Sequence, residues 1–182
     1  MESYKEKLRA FNNTPKYKSE VEFLKKLTKY DSVNNMLDIG CGLGHTAKEL
    51  MADGYDVVNY LEADISCGSP IEINGIVYNN LNTYKYNHIY FMHSIAHIDN
   101  ITEVLKQIKK DSKATVTVIT PNAHWLIMQS NNEYKPDPTV VKHYTQTQLR
   151  ELFEEAGYEV TLLGQFGEES NGVNERLFLQ AR

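Results

Sequence analysis

Apolar residues along the chain recur in two alternating patterns. Short runs with β-branched residues, some alternating and some continuous, predict strands that are buried on one or both faces. The strand-like runs lie at 35–39, 56–61, 76–78, 88–93, 115–120, 158–163 and 176–180. Segments with helical spacing lie at 3–11, 45–52, 100–109 and 145–156, and Ser19 is placed to cap another helix with Val21, Phe23, Leu24 and Leu27 on its apolar side.

Strands that alternate with helices and end in a strand pair predict an α/β fold. We expect a doubly wound, Rossmann-like, seven-stranded sheet that is mostly parallel and closes with an antiparallel pair. Only about a dozen residues separate Asp64 from the run at 76–78, and Pro70, Gly68 and Gly75 argue against a helix there. This crossover is therefore predicted to be short, and residues 121–142 are predicted to be irregular.

Length and composition indicate one domain over residues 1–182, with 1–33 as an N-terminal helical lid and 34–182 as the sheet core. The net charge of −5 supplies no basic field for a nucleic-acid backbone, so DNA or a large RNA is disfavoured as a substrate. Lysines near the N-terminus alternate with glutamates, which is typical of a solvated helix surface. We expect no membrane span and a reducing cytoplasm; the oligomeric state stays open.

Two cysteines supply neither a disulfide framework nor a zinc cluster, so no metal is expected. The richest segment is instead residues 38–44, which read D-I-G-C-G-L-G between an apolar strand and a helix. Glycines at alternate positions let the backbone approach a ligand, and the helix that follows turns free N–H groups toward it. A dinucleotide site is an alternative, but its spacing is G-x-G-x-x-G, and a purely structural loop is another.

The G-x-G-x-G turn with Asp38 two residues before it resembles motif I of the class I S-adenosylmethionine-dependent methyltransferases. The resemblance extends over most of residues 34–182 and implies S-adenosyl-L-methionine as the cofactor. It implies a cofactor site of Asp38, Gly40, Cys41, Gly42, Gly44, Glu62, Asp64, Asn80, Met92 and His93.

Two acids compete for the ribose hydroxyls at the end of the second strand. Glu62 has the family's spacing from the glycine turn, whereas Asp64 begins Asp-Ile-Ser, which is similar to the family's V-D-x-S. The other acid is then a surface residue. Asn80 matches a position whose side chain meets the adenine amino group in the family, although asparagine also favours turns for its own reasons.

The stretch at 90–100 resembles the family's fourth strand, beyond which the transferred methyl group lies. Main chain near Met92 and His93 is expected to face the methionine end of the cofactor. His93 is a candidate general base for a hydroxyl acceptor, or a non-catalytic polar contact. His97 matches a family histidine that orders the loop, and we include it among the residues near the substrate.

The stretch at 143–158 resembles a segment of small-molecule methyltransferases, with Thr145 as the cap of its helix. His143 is the second candidate base. Tyr144, His124 and Trp125 are candidates for the substrate pocket, although core packing also explains Trp125.

The sequence therefore predicts a methyltransferase that acts on a small molecule, at an oxygen atom, because the D/N-P-P-[YF] motif of amino-group methylation is absent at Met92–Ile95. The alternative is a cofactor-binding protein that transfers no methyl group, such as a degenerate regulatory subunit, or an enzyme that consumes the cofactor. The short crossover, Asn87-His88 and His93 depart from the family pattern. The N-terminal aromatic residues are expected either to cover the cofactor or to pack on the sheet edge.

Overall fold

The computed structural model describes residues 4–28, 35–59, 71–73, 76–78, 86–129 and 139–182. The helices are α1 (Tyr4–Asn12), α2 (Pro15–Thr28), α3 (His45–Ala52), α4 (Ile101–Asp111), α5 (Ala123–Gln129) and α6 (Gln146–Glu155), with a 3-10 turn at Ile95–His97. The strands are β1 (Asn35–Asp38), β2 (Asp56–Asn59), β3 (Ile71–Ile73), β4 (Ile76–Tyr78), β5 (His88–Met92), β6 (Thr115–Pro121), β7 (Val160–Ser170) and β8 (Val173–Ala181).

One six-stranded sheet has the strand order β2-β1-β5-β6-β8-β7. Strands β2, β1, β5 and β6 are parallel to one another, and β8 is antiparallel to both of its neighbours. A two-residue turn at Asn171 and Gly172 joins β7 to β8, and both residues have positive φ angles, 50° and 77°. Asparagine followed by glycine is the pair that such a turn favours. The α/β class and the closing antiparallel pair are thus confirmed.

The seventh strand that we expected over 76–78 is not part of this sheet. Strand β4 pairs in antiparallel register with β3, and the two form a separate two-stranded sheet. The sequence analysis placed no strand at 71–73, and it is this run that pairs with the residues at 76–78 in place of a neighbour in the main sheet. Within the described ranges the main sheet has six strands.

The two faces of the sheet bury two separate apolar clusters because side chains alternate along each strand. On one face Ile89 and Phe91 pack with residues of α4 and α6. On the other face Tyr90 and Met92 pack with residues of α2 and α3. Helices therefore cover both faces, which fits the continuous apolar character of β5 and β6.

Three helix starts are set by side-chain caps. Helix α2 begins earlier than predicted, because Thr14 Oγ1 accepts a hydrogen bond from the Tyr17 N–H at 3.2 Å and Pro15 follows it; Ser19 lies inside the helix. Helix α5 lies in the segment predicted to be irregular, where Asn122 Oδ1 accepts from the His124 N–H at 3.1 Å. The Thr145 cap of α6 is confirmed as a capping box with Gln148.

The second N-terminal helix is built into the core. Val21 and Leu24 of α2 are 2% and 1% exposed and belong to the cluster with Tyr90 and Met92. The predicted lid thus includes one helix that packs on the sheet along its length. No helix in the described part of the chain combines the length and the apolar character that crossing a membrane requires.

Candidate cofactor and acceptor site

The glycine turn lies directly after β1, at the carboxyl end of the parallel strands. Gly40, Gly42 and Gly44 all have positive φ angles, 79°, 58° and 71°. Two features require glycine at position 40: its positive φ angle, and the collision that a Cβ atom there would make with the side chain of Ser94. Ser94 in turn donates a hydrogen bond to the Ile39 carbonyl, so the turn is fixed against the segment after β5. The fold leaves no room for a side chain at this position.

Asp38 at the end of β1 is a buried carboxyl group, 1% exposed, and neither of its oxygens has a hydrogen-bond partner among the described residues. Burial raises the pKa of Asp38 to about 7, although the nearby Tyr90 hydroxyl lowers it in part. That hydroxyl does not reach hydrogen-bonding geometry, and no other residue within the described ranges is its hydrogen-bond partner. A buried acceptor without a donor, next to a glycine turn, fits a ligand with a positively charged or hydrogen-bond-donating group.

His93 follows β5 in a left-handed backbone conformation, with φ at 60°. For a residue with a Cβ atom this costs on the order of 1–3 kcal/mol, and such strain tends to be retained at functional sites. Its N–H donates to the Ile119 carbonyl at 2.8 Å, which holds the main chain against β6. Nε2 of its ring lies 2.6 Å from Glu20 Oε2 on α2. The predicted base is thus paired with a carboxylate from the N-terminal helix.

Glu20 is shared between two partners. Its other oxygen, Oε1, accepts a hydrogen bond from Arg176 Nε on β8 at 2.6 Å, and its side chain is 2% exposed. Burial by itself would raise the pKa of Glu20, but His93 and Arg176 together bring it below its usual value. Arg176 also contacts Glu175 Oε1 at 2.8 Å, and Lys16 on α2 pairs with the same carboxylate.

Helix α2 and the residues before it cover the carboxyl end of the sheet. The ring of Phe11 packs edge-on against His93, with centroids 5.6 Å apart, and against Tyr17 at 5.4 Å. The Tyr17 hydroxyl is hydrogen-bonded to Thr46 near the start of α3, and burial raises the pKa of Tyr17 to about 12. Aromatic residues thus close the side of the site next to His93.

His97 and His143 lie near each other beyond the 3-10 turn. His97 Nδ1 donates to the Thr139 carbonyl at 3.1 Å and lies 2.9 Å from the Thr139 hydroxyl, which ties the turn to the segment at 139–143. The pKa of His143 is lowered, first by burial and then by the charge of His97. His143 is therefore neutral at neutral pH, as a proton acceptor must be.

The remaining predicted substrate residues have different environments. Tyr144 is 2% exposed and lies in the cluster with α4 and α6, with Lys142 Nζ 5.2 Å from its ring centroid. Trp125 on α5 is half-buried, and Lys16 Nζ lies 5.7 Å from its ring centroid. His124 is exposed. Their contact with a substrate stays a prediction.

Glu62, Asp64 and Asn80 lie outside the described residues. The structure does bring Asp38, Gly40, Met92 and His93 together where β1 and β5 end, since these two strands are neighbours. Sequence reasoning missed the carboxylate that holds His93 and the guanidinium that holds this carboxylate. Glu20 carried a signal, because it stands at helical spacing from Leu24 and Leu27, on the apolar face of α2. Arg176 carried none.

The sequence profile of the methyltransferase domain family matches residues 6–163. No curated protein sequence matches the chain.

Solved structures resemble the fold over nearly its whole length. An S-adenosylmethionine-dependent methyltransferase from Archaeoglobus fulgidus superposes with a TM-score of 0.66 at 15% identity, covering 98% of this chain and 99% of its own. Magnesium protoporphyrin IX methyltransferase from Synechocystis, solved with bound SAH, gives 0.58 at 11% identity over 91% and 82% of the two chains. The small RNA methyltransferase HEN1 gives a TM-score of 0.67 at 15% identity. The superposition covers 100% of this chain and 26% of the HEN1 chain.

Proposed function

We propose that this chain, which belongs to the methyltransferase domain family and uses S-adenosylmethionine as its cofactor, methylates a small-molecule acceptor at an oxygen atom. The cofactor and the transferase activity follow from the family match over residues 6–163. The acceptor is our inference, and one observation carries it. An aromatic cover from the N-terminal segment packs on His93, the residue directly after β5.

The glycine turn and Asp38 are our candidates for holding the cofactor. The positive φ angles of Gly40, Gly42 and Gly44 would let main-chain atoms approach the ligand, and the Asp38 carboxyl, which has no hydrogen-bond partner among the described residues, suits its cationic end. When bound, the cofactor supplies a methyl group that its sulfonium charge has already activated. The chain then has to bind, orient and exclude water, which needs few reactive side chains. For the ribose we keep Glu62 and Asp64 as alternatives, and Asn80 for the adenine.

The net charge of the chain and the aromatic residues that cover His93 both favour a small acceptor over a nucleic acid. The chain carries 24 acidic and 19 basic side chains, so it offers no general attraction to phosphates. Phe11 and Tyr17 narrow the approach to His93. HEN1, one of the similar folds, acts on small RNA, but its chain is about four times as long as the part that superposes.

An oxygen acceptor is favoured because two histidines are candidates to take its proton. His93 lies directly after β5, and His143 has a lowered pKa that keeps it neutral. A hydroxyl group must lose its proton as it is methylated, and a neutral imidazole within hydrogen-bonding reach accepts it.

The test is transfer of a radiolabelled methyl group from the cofactor to a panel of acceptors. The panel contains a phenol, a catechol, a monosaccharide, a primary amine and a short single-stranded RNA. We expect label on a hydroxylated small molecule and none on the RNA. Label on the RNA or on the amine would refute the acceptor class, and cofactor cleavage without transfer would favour the cofactor-consuming alternative. Gly42→Val, which fills the turn, is the matched inactive control.

A further inference from the structure

The buried contacts of Glu20 have a consequence for the chemistry of His93. We propose that Glu20 is a positioning residue: it binds His93 at Nε2 and so leaves Nδ1 as the nitrogen that takes the acceptor's proton. This inference rests on the proposed function, since it assigns a role to the base of that same site.

The hydrogen bond fixes which ring nitrogen carries a proton. His93 and Arg176 together lower the pKa of Glu20 and keep it ionised, so its oxygens accept hydrogen bonds and do not donate them. The Nε2 of His93, 2.6 Å from Glu20 Oε2, must therefore be the protonated nitrogen. In a neutral imidazole the other nitrogen is then an acceptor. Nδ1 has no hydrogen-bond partner within the described ranges.

The surroundings hold the ring in this orientation. The left-handed backbone of His93 and its N–H bond to Ile119 fix where the side chain begins. Phe11 packs on one side of the ring, and Glu20 itself is anchored by Arg176. The His93 side chain is nevertheless 17% exposed, so part of it is open to solvent and not sealed in the core.

The charge of Glu20 also matters once the proton has moved. The acceptor's O–H bond breaks toward Nδ1, and its electron pair forms the bond from oxygen to the methyl carbon. The pair of the breaking S–C bond stays on sulfur, which becomes neutral. His93 ends as an imidazolium whose Nε2–H still faces the Glu20 carboxylate, and this adjacent negative charge stabilises it.

Ring nitrogen spectroscopy tests the orientation without any acceptor. In uniformly ¹⁵N-labelled protein, long-range proton–nitrogen spectra distinguish the two tautomers, and His93→Gln identifies the His93 signals by their loss. We expect the Nε2–H tautomer, with a downfield, slowly exchanging Nε2 proton that Glu20→Gln shifts upfield. A wild-type ring protonated at Nδ1 would overturn the proposal. This measurement needs no variant at Glu20, so it decides even if Glu20→Gln does not fold.

Kinetics with the hydroxylated acceptor identified by the panel separate positioning from support of the fold. Glu20→Gln should lower kcat about 10- to 100-fold with KM for the acceptor nearly unchanged, and Glu20→Asp should restore part of it. Glu22→Gln, at an exposed position on the same helix, should match the wild type. A folded Glu20→Gln with wild-type kcat refutes the role of Glu20. A panel without any turnover refutes the acceptor class instead, and the spectra still decide the ring orientation.

Discussion

The carboxyl group of Asp38 should make cofactor binding release a proton. Burial holds its pKa at about 7 in the absence of ligand, against 3.8 ordinarily. That difference is on the order of 4 kcal/mol between the neutral and ionised forms. At pH 6 about nine in ten molecules then carry the proton. A cationic group bound beside the carboxyl favours the ionised form, so the proton leaves as the ligand enters.

The pH dependence follows from the direction of the shift. The folded protein keeps the Asp38 proton between pH 3.8 and about 7, where the unfolded chain has lost it, so this group lowers stability as pH rises through that window. Binding of the cation relieves this penalty. Affinity should therefore rise by up to about tenfold per pH unit below 7 and level off above it. The neighbouring hydroxyls of Tyr17 and Tyr90 stay protonated throughout, since burial raises the pKa of both.

Isothermal titration calorimetry measures the effect directly. Titrations of the cofactor at pH 6 and pH 8, each in two buffers of different ionisation enthalpy, give the number of protons released. We expect nearly one proton at pH 6 and few at pH 8. Asp38→Asn should abolish the release and weaken binding at pH 8 by roughly 1.5–3 kcal/mol through the lost charge-assisted contact. Comparison with this variant also removes the titration of the cofactor's own amino group.

The matched control is Glu49→Gln, an exposed carboxyl on α3, which should leave both release and affinity unchanged. Equal proton release by wild type and Asp38→Asn would refute the reasoning, because the proton would then come from another group.

Three further predictions concern stability and the turn. His88 is fully buried, neither of its ring nitrogens has a hydrogen-bond partner in the described part of the chain, and burial lowers its pKa to about 4. As pH falls from 6.5 to 4, the unfolded chain takes up the His88 proton before the folded protein does, so the wild type should lose up to about 3 kcal/mol of unfolding free energy. The stability gained by His88→Leu, measured by urea unfolding, should therefore grow by that amount over the same window. An equal gain at pH 8 and pH 4 would contradict this prediction. Gly40→Ala should abolish cofactor binding in calorimetry because the new Cβ atom would collide with Ser94. Gly54→Ala is the control: Gly54 also has a positive φ angle, but a Cβ atom there meets nothing, so this variant should still bind the cofactor. Thr145→Ala should lower unfolding free energy by about 1 kcal/mol through loss of the capping box, and Thr161→Ala on β7 serves as the exposed comparison; no change in the urea midpoint would show that the cap is dispensable.

The sequence predicted most elements because local patterns determine them. The bounds of α3 were predicted without error, since the glycine turn before it and Gly54 after it are local signals. The Thr145 cap was found in the same way. The sequence analysis started helix α2 at Ser19, whereas the helix starts at Pro15. Thr14 and Ser19 are both capping residues and stand five positions apart, so only packing decides between them.

The chain by itself determined the α/β class, the glycine turn at the end of β1 and the closing antiparallel pair. Each rests on the spacing of residues that are neighbours in the sequence. Tertiary structure alone decided that the run at 76–78 pairs with the run at 71–73, that the Asp38 carboxyl has no hydrogen-bond partner among the described residues, and that Glu20 joins His93 to Arg176. Those contacts join residues 73 and 156 positions apart, and no periodicity in the sequence encodes a pairing over such separations.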